Sequence, residues 1–211
     1  MAAPDLQDVM KLYAREGVRQ WNDPQTTSGE LKKRARECLG GEIADNEAEA
    51  SDTLSTEYNG KNANLLRFIP MPRRPKSGIE RCFFLPIRER HENGNCKFSF
   101  DLFILVGAKN CLAFRFEQAH PAPTTHRYGH VQLSRSLLRR TILTKTLPWI
   151  PVRYPAFPIS TSDPLRTFLS MATTVHGYEG GVDTVLREIY QNDNRPGRAK
   201  MYLDQLQQML I

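Results

Sequence analysis

Asp101, Arg115, Glu117, His120 and His130 are the residues of this 211-residue chain whose types and spacing could do chemistry. Two carboxylates near an arginine and histidines can hold a divalent cation or divide the work of general acid and base. Whether they meet depends on β periodicity. In "KFSFDLFILV" Phe98, Phe100, Leu102, Ile104 and Val106 alternate with Ser99, Asp101, Phe103 and Leu105, the two-residue period of a strand. A tight turn at "GAK" returns the chain as "NCLAFRFEQ". Pairing Val106 with Asn110 keeps one face apolar, with Ile104 opposite Leu112, Leu102 opposite Phe114 and Phe100 opposite Phe116. That register sets Asp101 opposite Arg115 and Ser99 opposite Glu117. A slip by one residue would drive Arg115 against Leu102.

"RYGHVQLSR" adds another strand, with Val131 and Leu133 toward the core and His130, Gln132 and Ser134 away from it. One sheet face therefore gathers Ser99, Asp101, Arg115, Glu117, His130, Gln132 and Ser134. The expected form of such a face is solvated, its Asp101–Arg115 cross-strand pair contributing less than about 1 kcal/mol. Asp101 and Glu117 also resemble the acid pair of the restriction-type nuclease core, where an acid on one strand and an acid with a following lysine on the next hold Mg²⁺. Here the residue two after Glu117 is Ala119. Arg115 and His120 have the R-x4-H spacing of the helical HEPN ribonucleases, yet Phe116 stands where that family carries a polar residue and the local pattern is β. A zinc site of His120, His126 and His130 is not expected, because a strand would hold His126 and His130 about 13 Å apart at roughly 3.3 Å per residue. No nucleophile elbow and no Gly-rich phosphate loop is present in the sequence.

Charge is unevenly laid out. Residues 42 to 57 contain Glu42, Asp45, Glu47, Glu49, Asp52 and Glu57 and no Lys or Arg, whereas the whole chain is +6. From Gln118 to Ser162 there is no acid, while Arg127, Arg135, Arg139, Arg140, Lys145 and Arg153 all fall there, interleaved with Tyr128, Trp149 and Tyr154. Arg67, Arg73, Arg74, Lys76 and Arg81 form a second basic cluster. Such segregation creates a field that attracts polyanions, with cations for phosphates and aromatic rings for bases. The acidic stretch could also lie across the basic face as an internal mimic of a polyanion.

The elements that must position these groups are read from periodicity and caps. Leu6, Val9, Met10 and Tyr13, continued past Gly17 by Val18 and Trp21, predict an opening helix. Thr27 and Glu30 have capping-box spacing for a second one, with a stripe of Leu31, Ala35, Cys38 and Leu39 closed by Gly40 and Gly41. Residues 42–65, acidic and poor in apolar anchors, are expected as a loop or linker. "IPMPRRPK" favours extended chain, "IERCFFLPI" reads as a strand whose Pro86 marks an edge or bulge, and Asp163 with Pro164 starts a helix carrying Leu165, Phe168, Leu169 and Ala172. His176, at that helix's end, is expected there for the macrodipole. "GVDTVLREIYQ" and "AKMYLDQLQQMLI" predict two further helices, the last apolar to its final turn and needing cover from the monomer, a partner or a second copy.

The expected architecture is α+β: a small antiparallel sheet of about four strands between residues 78 and 136, packed by N-terminal and C-terminal helices. The parts are a helical pair over 1–41, the acidic linker over 42–65 and an α+β core over 66–211, together one compact domain. The four cysteines, far apart, predict reduced thiols, and the absence of a long apolar run predicts a cytoplasmic protein with no membrane association. The expected function is a non-enzymatic interaction or accessory protein whose basic surface, through Arg127, Arg135, Arg139, Arg140, Lys145 and Arg153, contacts nucleic acid or another acidic partner. The alternative is a metal-dependent nuclease using Asp101 and Glu117; only that reading calls for a cofactor, Mg²⁺.

Overall fold

The computed structural model describes residues 6–59, 61–73, 81–90, 96–106, 110–118, 129–133, 156–159 and 163–176. Three helices open the chain: α1 (Leu6–Asn22), α2 (Gly29–Leu39) and α3 (Glu47–Ser55). A 3-10 turn at Ala63–Leu65 leads to strands β1 (Ile69–Pro70), β2 (Cys82–Arg90), β3 (Cys96–Val106), β4 (Asn110–Glu117), β5 (Gly129–Leu133) and β6 (Ala156–Ile159), and then to helix α4 (Pro164–His176). The strands form one antiparallel sheet in the order β1 to β6. The fold is α+β as the segregation of helical and strand patterns implies. Its sheet is larger than the expected four strands, because "IP" before the first long strand and "AFPI" ahead of α4 both pair.

The β3–β4 register is the one selected by the apolar pattern: Val106 pairs with Asn110, Leu102 with Phe114, Asp101 with Arg115 and Ser99 with Glu117. One face of the sheet carries Cys82, Phe84, Phe100, Leu102 and Phe116 into a core with α1, α3 and α4. Phe168 of α4 sits at its centre, edge-on to Tyr13, Phe84 and Phe100 at centroid separations of 5.4 to 5.7 Å. The other face carries Phe83, Phe103, Leu105, Cys111 and Ala113 into a second core with Trp21 of α1 and Ala35 and Leu39 of α2. Helix α1 contributes to both, and at Gly17 its backbone approaches β1 so closely that a Cβ would stand 1.8 Å from the carbonyl oxygen of Pro70.

Local chemistry corrects two expectations. Helix α2 is capped by Ser28, whose Oγ accepts from the Leu31 N–H at 3.2 Å, not by Thr27. The Thr27 hydroxyl turns inward and donates to the carbonyl of Gln20. Gly40 ends the helix as expected, in the left-handed conformation at φ 64°. The acidic stretch is not a loop throughout. Asn46 caps α3 by accepting from the Glu49 N–H at 2.9 Å, Glu49 reaches back to the Asp45 N–H at 2.9 Å, Ala50 and Leu54 are buried in the core that α1 shares, and the buried Thr53 hydroxyl accepts from the Arg67 N–H at 3.1 Å. Acids at the start of a helix favour it through the dipole. His176 ends α4 as expected; it is buried there and its Nε2 is hydrogen-bonded to the Tyr13 hydroxyl.

Asp163 caps α4 as expected, accepting from the N–H groups of Leu165 and Arg166 at 2.7 and 3.1 Å. On the sheet's outer side β1 covers only Phe83 and Phe84 of β2. Leu105 donates to the carbonyl of Arg81 while Met71 donates to that of Cys82, so even-numbered residues of β2 turn their backbone groups away from β3. Pro86 lies beyond β1's reach on that outer side, and the Tyr58 N–H takes the carbonyl of Arg88 at 2.8 Å. No helix among the described residues is long and apolar enough to cross a membrane. The two further helices expected after Gly177, with the apolar stripe of Tyr202, Leu206 and Met209, lie outside the described residues.

Candidate functional site

Strand alternation and the observed register bring together four of the five residues singled out for chemistry. Asp101 on β3 faces Arg115 on β4, and Glu117 on β4 faces His130 on β5. The face is not solvated. Asp101 has no exposed surface, His130 is 2% exposed, and Ser99 and Glu117 are also buried. The polar residues continue the face that begins with Phe103 and Ala113, so they form a charged end of a covered surface.

The arrangement is a chain of ion pairs. Arg115 grips Asp101 with two hydrogen bonds, Nε to Oδ1 at 2.8 Å and Nη2 to Oδ2 at 3.1 Å. Its Nη1 lies 3.9 Å from Oε1 of Glu117. The Glu117 Oε2 is 3.3 Å from Nζ of Lys97 and 3.3 Å from Nε2 of His130. Removal from water is the largest influence on Asp101, and it lifts the carboxyl to a pKa of about 6; the bonds and charge of Arg115 oppose that lift, and Glu117 and Glu89 add to it. On Arg115 burial acts downward, but the hydrogen bonds and charge of Asp101 prevail and hold its pKa above the ordinary value.

Lys97 was missed in the sequence although it has the same strand parity as Ser99 and Asp101 and stands one step further along β3. With it, two carboxylates meet two permanent cations. A divalent metal at Asp101 and Glu117 would have to displace both, and among the described residues no group of three or more His, Cys, Asp or Glu is placed to hold a metal ion. The R-x4-H spacing loses its meaning because Arg115 sits on a strand, so it and position 120 do not share a helix face. His120, His126 and Ser134 lie outside the described residues, as do Arg127, Arg135, Arg139, Arg140, Lys145 and Arg153.

The other charges sort differently from their order in the sequence. Asp45 pairs with Arg36 at 2.8 Å, Glu49 with Arg67 at 3.6 Å, and Glu57 with Arg90 at 2.7 Å and Arg88 at 3.8 Å. Of the second basic cluster, Arg73 is exposed, Arg67 is engaged by Glu49, and Arg81 is buried at 1% exposure, so the cluster is not one surface patch. The chain matches no protein-family model, no curated protein and no solved structure.

Proposed function

We propose that this protein is a non-enzymatic interaction protein that binds nucleic acid through the acid-free basic segment 118–162. The observation that carries the reading is where the acids go: Asp45, Glu49 and Glu57 are engaged by Arg36, Arg67, Arg88 and Arg90, and Asp101 and Glu117 by Arg115 and Lys97. Three of the six acids of the acidic stretch are thus engaged by arginines from outside the basic segment, which supports a field of that segment available to an external polyanion. A nuclease reading has less support, since Asp101 is closed to solvent and both its oxygens are bonded to Arg115.

Titration of the full chain with a fluorescent single-stranded oligonucleotide tests the proposal. Affinity should fall steeply with salt, by a slope of roughly 0.7 per phosphate contact on logarithmic axes. Replacing Arg135, Arg139 and Arg140 by Ala should weaken binding and flatten that slope. Absence of binding at low salt, or a salt-independent affinity, would overturn the reading. Mg²⁺- or Mn²⁺-dependent cleavage lost on Asp101→Asn would establish the nuclease in its place.

A further inference from the structure

Between α3 and β1 the chain makes a turn held by two asparagines. The N–H groups of Lys61 and Asn62 donate to Oδ1 of Asn59 at 3.0 and 3.2 Å, and Oδ1 of Asn62 accepts the Asn59 N–H at 3.2 Å. Nδ2 of Asn62 donates to the carbonyl of Glu57 at 2.6 Å. The two amides are used differently. Asn62 is half-buried and holds the turn with both its oxygen and its nitrogen, whereas Asn59 is exposed and holds it with the oxygen alone. Its Nδ2 has no hydrogen-bond partner among the described residues.

Gly60, which follows Asn59, lies outside the described residues; what matters is its covalent constitution, a backbone nitrogen with no side chain beside it. That is the least hindered backbone nucleophile for the carboxamide carbon of the preceding residue. Attack there places negative charge on Oδ1, where the Lys61 and Asn62 N–H groups are already directed, and donors aimed at a developing oxyanion lower its cost. The leaving nitrogen is the one the turn does not hold. Among the described residues Asn22, Asn46, Asn62, Asn64 and Asn110 are followed by Asp, Glu, Ala, Leu and Cys, so Asn59 alone has glycine next to it.

We propose that Asn59 is a site of spontaneous deamidation in the folded protein, by which a neutral turn residue becomes an acid. The Gly60 nitrogen bonds to Cγ of Asn59, its proton passes through solvent to the departing Nδ2, and ammonia leaves behind a succinimide. Water then opens the ring at either carbonyl, giving aspartate or isoaspartate; no oxidant or reductant takes part. Aspartate keeps an oxygen for the Lys61 and Asn62 N–H groups, and its charge strengthens both bonds. Isoaspartate carries the main chain through Cγ and removes that acceptor, next to the Tyr58 N–H that holds the Arg88 carbonyl at 2.8 Å.

The test is incubation of the full chain at mildly alkaline pH, folded and in urea, followed by proteolysis, mass spectrometry and enzymatic methylation to count isoaspartate. In the folded protein the peptide containing Asn59 should gain the mass of an amide-to-acid exchange at a rate within about tenfold of the unfolded chain, with no barrier added by the fold beyond that factor. Asn62 and Asn64 should stay unchanged over the same period. Asn59→Gln, whose longer side chain disfavours ring closure, should abolish the change. Asn59→Asp should keep wild-type stability in urea, because the acceptor survives. Absence of the mass gain at Asn59, or a folded-state rate suppressed by more than that factor, would overturn the proposal.

Discussion

Tyr13 and Trp21, eight residues apart on one helix, are buried on opposite faces of the same sheet. Tyr13 meets Phe84 and Trp21 meets Phe83, so adjacent residues of β2 receive the two ends of one helix. Helix α1 must therefore pass the sheet's β1 edge between them, and Gly17 occupies the passage against the Pro70 carbonyl.

Gly17→Ala should destabilise the protein strongly, at or above the upper end of the roughly 1–3 kcal/mol typical of overpacking, because the obstruction is backbone and cannot rotate away. Gly29→Ala is the control. A Cβ there meets nothing within 4 Å, so the variant should be neutral or gain up to about 1 kcal/mol from helix propensity. Chemical denaturation of the two variants reads both effects; equal stabilities would contradict the passage of α1 at Pro70.

Replacing Arg115 by Leu leaves Asp101 buried without its cation, and the expected cost is about 3–5 kcal/mol. Replacing Asp101 and Arg115 by Leu together should recover most of that loss, since a buried ion pair gains little over well-packed apolar groups. A urea-denaturation cycle measures the coupling. Additive losses would mean that the pair does not act as a unit.

Asp101 also gives the protein a specific pH response. Its folded pKa, about 6, lies above the ordinary carboxyl value, so the folded state holds this proton more tightly than the unfolded chain does. The associated stability is complete below about pH 4 and is lost as pH rises through 6, an effect on the order of 3 kcal/mol. Wild type should therefore lose stability relative to Asp101→Asn across pH 4 to 6. A stability difference independent of pH in that window would show that the proton is not held.

Much of this was legible from periodicity alone. The register of β3 on β4 followed because it keeps one face apolar where a slip by one residue would set Arg115 against Leu102, and α4 followed from Asp163 and Pro164. Helix α3 was hidden by its charge, although Asn46 and Glu49 already stood at capping distance. Burial of the polar sheet face was not legible, because alternation assigns a side chain to a face and says nothing of what covers that face. Arg81 was grouped with Arg73 by nearness in sequence, yet one extends β2's ladder toward Leu105 and is drawn inward while the other stays in solvent.

Thiol reactivity should divide the four cysteines evenly. Cys82 and Cys111 are buried and burial pushes both thiols up to about 12, whereas Cys38 and Cys96 are partly exposed. At mildly alkaline pH a thiol-specific reagent should label Cys38 and Cys96 in the folded protein, and Cys82 and Cys111 only on unfolding. Rapid labelling of Cys111 would contradict the second core.

The outer margin of β2 bears on how the molecule behaves when crowded. A strand arriving from another copy needs a run of free donors and acceptors to zip against. Along this margin β1 has claimed Phe84, Pro86 has no N–H to offer, and Tyr58 holds the carbonyl of Arg88. An incoming chain would find its hydrogen-bonding frame broken at successive steps, so growth of the sheet from this side into dimers or fibrils is obstructed by the same proline that the sequence displays in the middle of its first long strand.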